Sequence, residues 1–357
     1  MTSNIITTLA NELNVKVWQI EATIRLIDEG NTIPFIARYR KEATGSLNDE
    51  TLRLLDERLT YLRNLDDRKN QVIAAIEEQG KITDELRKKI NEAATLVAVE
   101  DLYLPFRPKK RTRATIAKEK GLEPLADYIF SQEKNCSVQT EAEKYIDIDK
   151  EVASAQDAIA GASDILAERI SDNAAFRSYI RTFTYNNGKI LSSAKDKEAE
   201  SVYEMYYEFE EAVKKIAGHR ILAINRGEKE KFLSVKIDVP EDDIVSYLIQ
   251  KNIKHTNPEA DEIISEAVKD SYKRLIAPAI ERDIRNELTE TAEDSAIKVF
   301  GRNLTQLLMQ PPITGQVVLG WDPAFRTGCK LAVVDSTGKV LDTVVIYPTA
   351  PQNKSYK

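Results

Sequence analysis

The chain has 357 residues and carries 51 Lys and Arg against 58 Asp and Glu, a net charge of −7. No global positive field therefore draws it onto nucleic acid, and any such contact must come from local basic patches. Hydrophobic content of 42% and charged content of 31%, with only 13 Gly and 12 Pro, allow real cores in about two or three domains and favour helices over a β-sandwich.

The N-terminus, MTSNIITTLANELN, lacks the basic and apolar regions of a signal peptide. Val17, Ile20, Ile24 and Ile27 then fall on one face of a helix, which Gly30 and Asn31 end. Pro34 opens a short second helix through Arg40. After a break at Gly45 and Ser46, Leu52, Leu55, Leu59, Leu62 and Leu65 form the stripe of a longer helix that runs on through Val72 and Ile76. Another helix is expected after Thr83, with Asp84 and Glu85 in its first turn.

LYLPFRPKKRTRATIAKEK, Leu102 to Lys120, is the densest basic segment, and its two prolines predict a loop at its start. Short helices are expected near 122–131 and 140–146. Glu151 to Tyr185 reads as one long helix, striped by Val152, Ala155, Ile159, Ala162, Leu166 and Ile170 and continued by Phe176, Ile180 and Phe183. Met205, Tyr206, Tyr207 and Phe209 add an aromatic cluster. FLSVKIDV, Phe232 to Val239, alternates as a small strand. Pro258 to Gln310 is helical again, with a kink or interruption expected at Pro278 and a stop at Pro311-Pro312. Beyond Gly315 the period changes. Val317–Gly320, Lys330–Asp335 and Val340–Tyr347 read as three strands of a meander, with Ser336-Thr337-Gly338-Lys339 as a hairpin turn.

Few residues carry chemistry. His219 and His255 are the only histidines, and Cys136 and Cys329 match no metal spacing. A reducing cytoplasm is the simplest setting, and no apolar run is long enough to cross a bilayer. Arg107, Lys109, Lys110, Arg111 and Arg113 place five charges within seven residues. Flanked by Tyr103 and Phe106, they read as a clamp for phosphates with a stacked base, or as a solvated loop that neutralises nearby acidic helices. Arg38, Arg40 and Lys41 follow a turn between two helices, as in a helix-turn-helix reader, or simply favour the second helix's C-terminal dipole. Tyr203, Tyr206 and Tyr207 fall at helical spacing and read as the lining of a nucleotide channel or as an ordinary core face. Asp322 ends the first strand of the meander, where an RNase H-like nuclease holds metal ions. A hard cation needs several oxygen ligands, and Asp335 and Asp342 are its only neighbours on adjacent strands. No P-loop, dinucleotide fingerprint, zinc signature or nucleophile elbow is present, so no cofactor, no metal and no enzymatic activity are expected.

GNTIPFIARYRKEATGSL (Gly30–Leu47), EDLYLPFRPKKRTRATIAKEKGLEPLA (Glu100–Ala126), HRILAINRGEKEKFLSV (His219–Val235) and GWDPAFRTGCKLAVVD (Gly320–Asp335), in this order and spacing, resemble the bacterial Tex family of transcription accessory proteins. The resemblance covers nearly the whole chain. It implies a mainly α, multi-helix scaffold with a long central helix, similar in its core to a eukaryotic elongation factor that travels with RNA polymerase. It implies a helix-turn-helix-like N-terminal region, a catalytically inactive RNase H-like (YqgF) domain, then helix-hairpin-helix and OB-fold parts. The expected division is 1–80 as the N-terminal region, 81–314 as the helical core and 315–357 as the first strands of an incomplete α/β YqgF domain. On this reading the sequence is a truncated form that stops at Lys357, before the RNA-binding C-terminal parts. The family usually has a small apolar residue before the Asp and Gly after the Pro; here Trp321 and Ala324 stand there, which marks Asp322 as a vestigial acid. The expected partners are RNA, with DNA second, and the transcription or translation machinery, with no membrane. Two alternatives remain: a metal-dependent nuclease using Asp322, and a pure protein-docking scaffold.

Overall fold

The computed structural model describes residues 2–134, 137–311, 313–324 and 326–348; Cys136, Pro312 and Lys357 lie outside them. Two units emerge, Met1–Ile216 with Ala223–Leu288, and Ala217–Leu222 with Thr289–Lys357.

The first unit begins with helices α1 (Thr2–Leu13), α2 (Val17–Asp28), α3 (Ile33–Tyr39) and α4 (Asp49–Glu78). Asn48 caps α4 by accepting from Thr51 N at 2.7 Å. The 30 residues of α4 span about 45 Å at 1.5 Å per residue. Its leucine stripe serves three clusters in turn. Leu55 and Leu59 pack with Leu9, Ile20 and Ile24. Leu52 packs with Ile36 and Leu47. Leu65, Val72 and Ile76 pack with Ile90 and Val99, from α5 (Asp84–Glu92) and α6 (Leu96–Tyr103). Thr83 caps α5 through Leu86 N.

Next come α7 (Arg113–Glu119), α8 (Glu123–Ser131), α9 (Val138–Ala142), α10 (Ala155–Ser171) and α11 (Ala174–Asn187). α10 is the centre of this unit. It packs against α7, α8 and α9 and buries Ala158, Ala162, Ile165, Leu166, Ala167 and Ile170. The single helix expected from Glu151 to Tyr185 is therefore two, starting at Ala155. The break is local chemistry. Asp172 closes α10, and the Asn173 side chain accepts from Ala175 N at 3.0 Å and Phe176 N at 3.2 Å, opening a new helix.

β1 (Lys189–Ala194), β2 (Glu208–Ala212) and β3 (Leu233–Asp238) form an antiparallel sheet in the order β2-β1-β3. Only β3 was legible from alternation. Tyr203 and Tyr206 are buried, at a 3₁₀ turn rather than on a helix. α12 (Gly218–Lys229) lies between β2 and β3 in the chain. α13 (Glu241–Asn252) leads to α14 (Pro258–Asp270), a π-helical turn over Ser271–Ile276 and α15 (Ala277–Leu308). These three helical stretches follow one another without a gap from Pro258 to Leu308, the longest helical run among the described residues. Pro278 does not interrupt it. Proline lacks an N–H for the carbonyl four residues back and crowds it; the wider turn just before Pro278 accommodates both.

The second unit holds the end of α15 and the meander β4 (Val318–Asp322), β5 (Cys329–Val334) and β6 (Val340–Ile346), antiparallel in that order. Gly338, at φ +87°, takes the left-handed position of the β5–β6 turn, which no residue with a Cβ favours. Asp335 closes that turn by accepting from Thr337 N at 2.8 Å and Lys339 N at 3.0 Å. Cys329 is buried as a free thiol.

Candidate nucleic-acid interface

The basic segment is a connection between two capped helices. α6 continues into a 3₁₀ turn at Leu104–Phe106, held where Gln79 Nε2 donates to the Phe106 carbonyl at 2.9 Å. Thr112 starts α7 by accepting from Thr115 N at 3.1 Å. Between these points the chain is irregular, as the two prolines require.

The five cations have unequal fates. Lys109 Nζ lies 2.5 Å from Asp172 Oδ2 and 3.4 Å from Glu168 Oε2. Thr112 Oγ1 donates to Glu168 Oε1 at 3.0 Å. Asp164, Glu168 and Asp172 follow at four-residue spacing, one stripe along α10. Arg113 is exposed but close enough to Asp164 to act on its charge, as does Arg274, 3.1 Å from Asp164. Burial raises the Asp172 carboxyl above its ordinary range, and the Lys109 hydrogen bond and charge only partly oppose this. Burial likewise raises Asp164, against Arg274 and Arg113. Arg107, Lys110 and Arg111 are exposed and, among the described residues, form no ion pair. The stripe on α10 thus fastens the loop through Lys109 and Thr112 and leaves three cations facing water.

Tyr103 and Phe106 each commit part of their ring to the core. Both are half-buried against the cluster of Leu65, Val72 and Ile90, and the Arg68 guanidinium lies 5.5 Å from the Tyr103 ring centroid. The polar signal missed from sequence was this acidic stripe, visible as three acids four apart. A second unforeseen feature is a buried charge node. Arg177 Nε donates to Asp101 Oδ1 at 2.7 Å and Arg181 Nη1 to Asp101 Oδ2 at 2.7 Å, with Asp283 3.4 Å from Arg181. It ties α6, α11 and α15 together.

Asp322 is exposed at the end of β4, opposite Lys330. Asp335 is spent on its turn, and Asp342 accepts from the next residue's N–H at 2.8 Å. Among the described residues no three His, Cys, Asp or Glu side chains form a metal-ligand group. Ala324 does not adopt a positive φ, so replacing the family's Gly imposes no left-handed strain there.

Against known families, residues 3–77 match a Tex-like protein N-terminal domain, 133–300 a Tex central region and 316–357 a Tex protein YqgF-like domain. This chain belongs to the Tex family. YdcI of Bacillus subtilis (strain 168) is 51% identical over 350 residues, 97% of this chain and 49% of its own length. Transcriptional accessory protein Tex of Neisseria gonorrhoeae is 40% identical over 354 residues, 96% of this chain and 46% of its own. The Homo sapiens protein named S1 RNA-binding domain-containing protein 1 is 32% identical over 363 residues, 97% of this chain and 36% of its own. The chain spans about half the length of these bacterial relatives. No helix is long and apolar enough to cross a membrane among the described residues.

Proposed function

We propose that this chain is a non-catalytic, nucleic-acid-binding scaffold within a cytoplasmic transcription accessory protein. RNA is the expected ligand and DNA the second; the transcription or translation machinery is the protein partner. One observation carries the reading: Arg107, Lys110 and Arg111 stand exposed and without ion pairs among the described residues, on a loop anchored at both ends. Cations held in place but not neutralised suit phosphate contacts. Arg113, whose charge also acts on Asp164, is a weaker fourth contact, and Lys109 serves to hold the loop.

The division 1–80, 81–314 and 315–357 is part of this proposal, with the loop in the helical core. The relative named for an S1 RNA-binding domain supports RNA as the ligand class. A non-catalytic role for Asp322 is supported by the local engagement of Asp335 and Asp342. The test is Arg107→Glu/Lys110→Glu/Arg111→Glu, read by fluorescence anisotropy of labelled single-stranded RNA and duplex DNA across salt. Loss of three phosphate contacts lowers the slope of log affinity on log salt by about 2 for a single strand. An unchanged slope and affinity would assign the loop to scaffolding.

A further inference from the structure

A second cationic surface lies on α3, which packs on the start of α4, and it differs in kind. α3 buries Ile36 against Leu47 and Leu52 and turns two rings outward. Phe35 and Tyr39, four residues apart, have centroids 5.3 Å from each other. Tyr39 is 61% exposed and Phe35 36%, although burying such rings is the ordinary outcome. Arg40 holds its guanidinium 5.4 Å over the Phe35 ring, and Arg38 lies 5.9 Å from the Tyr39 ring. Arg38, Arg40 and Lys41 are exposed and, among the described residues, form no ion pair.

The turn that presents Arg40 and Lys41 is fixed in advance. Ser46 N donates to the Lys41 carbonyl at 2.7 Å and Thr44 N to the Arg40 carbonyl at 3.2 Å. Gln19 Nε2, from α2, donates to the Thr44 and Gly45 carbonyls at 3.1 Å each. The Trp18 ring lies so close over Gly45 that a Cβ there would fall 2.4 Å from it, and Gly45 has φ +63°. Trp18 itself remains 48% exposed.

We propose that Phe35, Tyr39, Arg38, Arg40 and Lys41, with Trp18 beside them, form a stacking site for single-stranded nucleic acid, distinct from the Arg107–Arg113 loop. The proposal rests on the nucleic-acid reading above and assigns it a second locus and a strand preference. Exposed rings offer faces on which unpaired bases stack, and adjacent cations take the phosphates. A duplex keeps its base faces inside, so these rings have nothing to stack on there. α3 has seven residues, about 10 Å of helix, and two of its four exposed side chains are aromatic rings, which offer stacking faces rather than base-edge readout. Elsewhere the net charge of −7 disfavours a polyanion, so attraction has to be local.

The test uses the full chain with Trp321→Phe, which leaves Trp18 as its only tryptophan. The probe is a labelled uridine oligomer of about 12 nucleotides, within the usual range of such sites, with duplex DNA as competitor. Binding is read by anisotropy and by Trp18 fluorescence. Phe35→Ala/Tyr39→Ala is expected to weaken binding on the order of 10-fold or more, as loss of base stacking does, with an unchanged salt slope. Tyr39→Phe should retain affinity. Arg38→Gln/Arg40→Gln/Lys41→Gln should lower the slope by about 2. Changing Arg107, Lys110 and Arg111 to Glu should leave the Trp18 response to the oligomer in place. If the Phe35/Tyr39 variant binds as the parent does while the loop variant loses binding, the stacking site is refuted and the loop reading stands. Parent chain that fails to bind the oligomer at low salt refutes both. Duplex DNA that competes as well as the unlabelled oligomer refutes the stacking assignment.

Discussion

Lys109 Nζ sits 2.5 Å from Asp172 Oδ2, and this contact divides a basic segment that looks uniform in sequence. Lys109 is 20% exposed and Asp172 14%, so the pair is largely shielded from water. Lys109→Glu sets a third acid beside Glu168 and Asp172 and should cost about 1–3 kcal/mol, below the range for a fully buried broken pair. Lys110→Glu, at an exposed site, should stay within about 0.5 kcal/mol of the parent. Urea unfolding of the two variants checks the contrast. Equal stabilities would mean that Lys109 does not anchor the loop.

The acids of the first unit respond to pH with opposite signs. Hydrogen bonds from Arg58 and Arg63 hold Glu12 and Asp28 below their ordinary values of 4.5 and 3.8. Their contribution is present above those values and is lost as pH falls through the lowered folded-state values. Asp172 is raised above 3.8 by burial; there the folded state keeps a proton that the unfolded state has released, so stability falls as pH rises through that window. The stability difference between parent and Glu12→Gln should therefore grow in the parent's favour with rising pH, and that for Asp172→Asn should move the other way. Urea unfolding from pH 3 to 7 measures both slopes, and slopes of the same sign would contradict this assignment.

Asp101 is the sole carboxylate at 2.7 Å from both Arg177 and Arg181 among the described residues. Asp101→Asn leaves the buried Arg177 guanidinium with Asp283, at 3.9 Å, as its ion-pair partner among the described residues. Breaking such a pair from one side costs about 3–5 kcal/mol. Denaturant midpoints should fall accordingly, with RNA affinity of the folded fraction unchanged. A midpoint like the parent's would show that the node contributes nothing to stability.

Asp322 stands exposed opposite Lys330, and a two-metal displacement needs several carboxylates at one place. Incubated with Mg²⁺, the chain should leave labelled single-stranded and branched substrates intact, and Asp322→Asn should behave identically. Cleavage by the parent that disappears in the variant would establish the nuclease alternative.

Much of this architecture was legible because periodicity survives folding. The Val17–Ile27 face, the leucines of α4 and the short apolar runs of β4 to β6 each predicted an element of the right kind. Errors arose where a few polar atoms overrule a long apolar pattern. Phe176, Ile180 and Phe183 follow the stripe of α10 at helical spacing, yet Asp172 and Asn173 end one helix and begin another. β1 and β2 are short and polar, and their pairing relies on cross-strand contacts such as Lys189 with Glu210 at 2.6 Å. Pro278 predicted a kink or interruption; the helix continues through it, with a π-helical turn at Ser271–Ile276 just before it. At the loop, sequence displayed the five charges but not their division, because the acids that take Lys109 lie 59 and 63 residues further along.

The most direct test of the central claim is the salt-dependent affinity of labelled single-stranded RNA for the parent and for Arg107→Glu/Lys110→Glu/Arg111→Glu. The account predicts a linear fall of log affinity with log salt in the parent, and a slope shallower by about 2 in the variant with its stability unchanged. Identical slopes and affinities in the two proteins would contradict it.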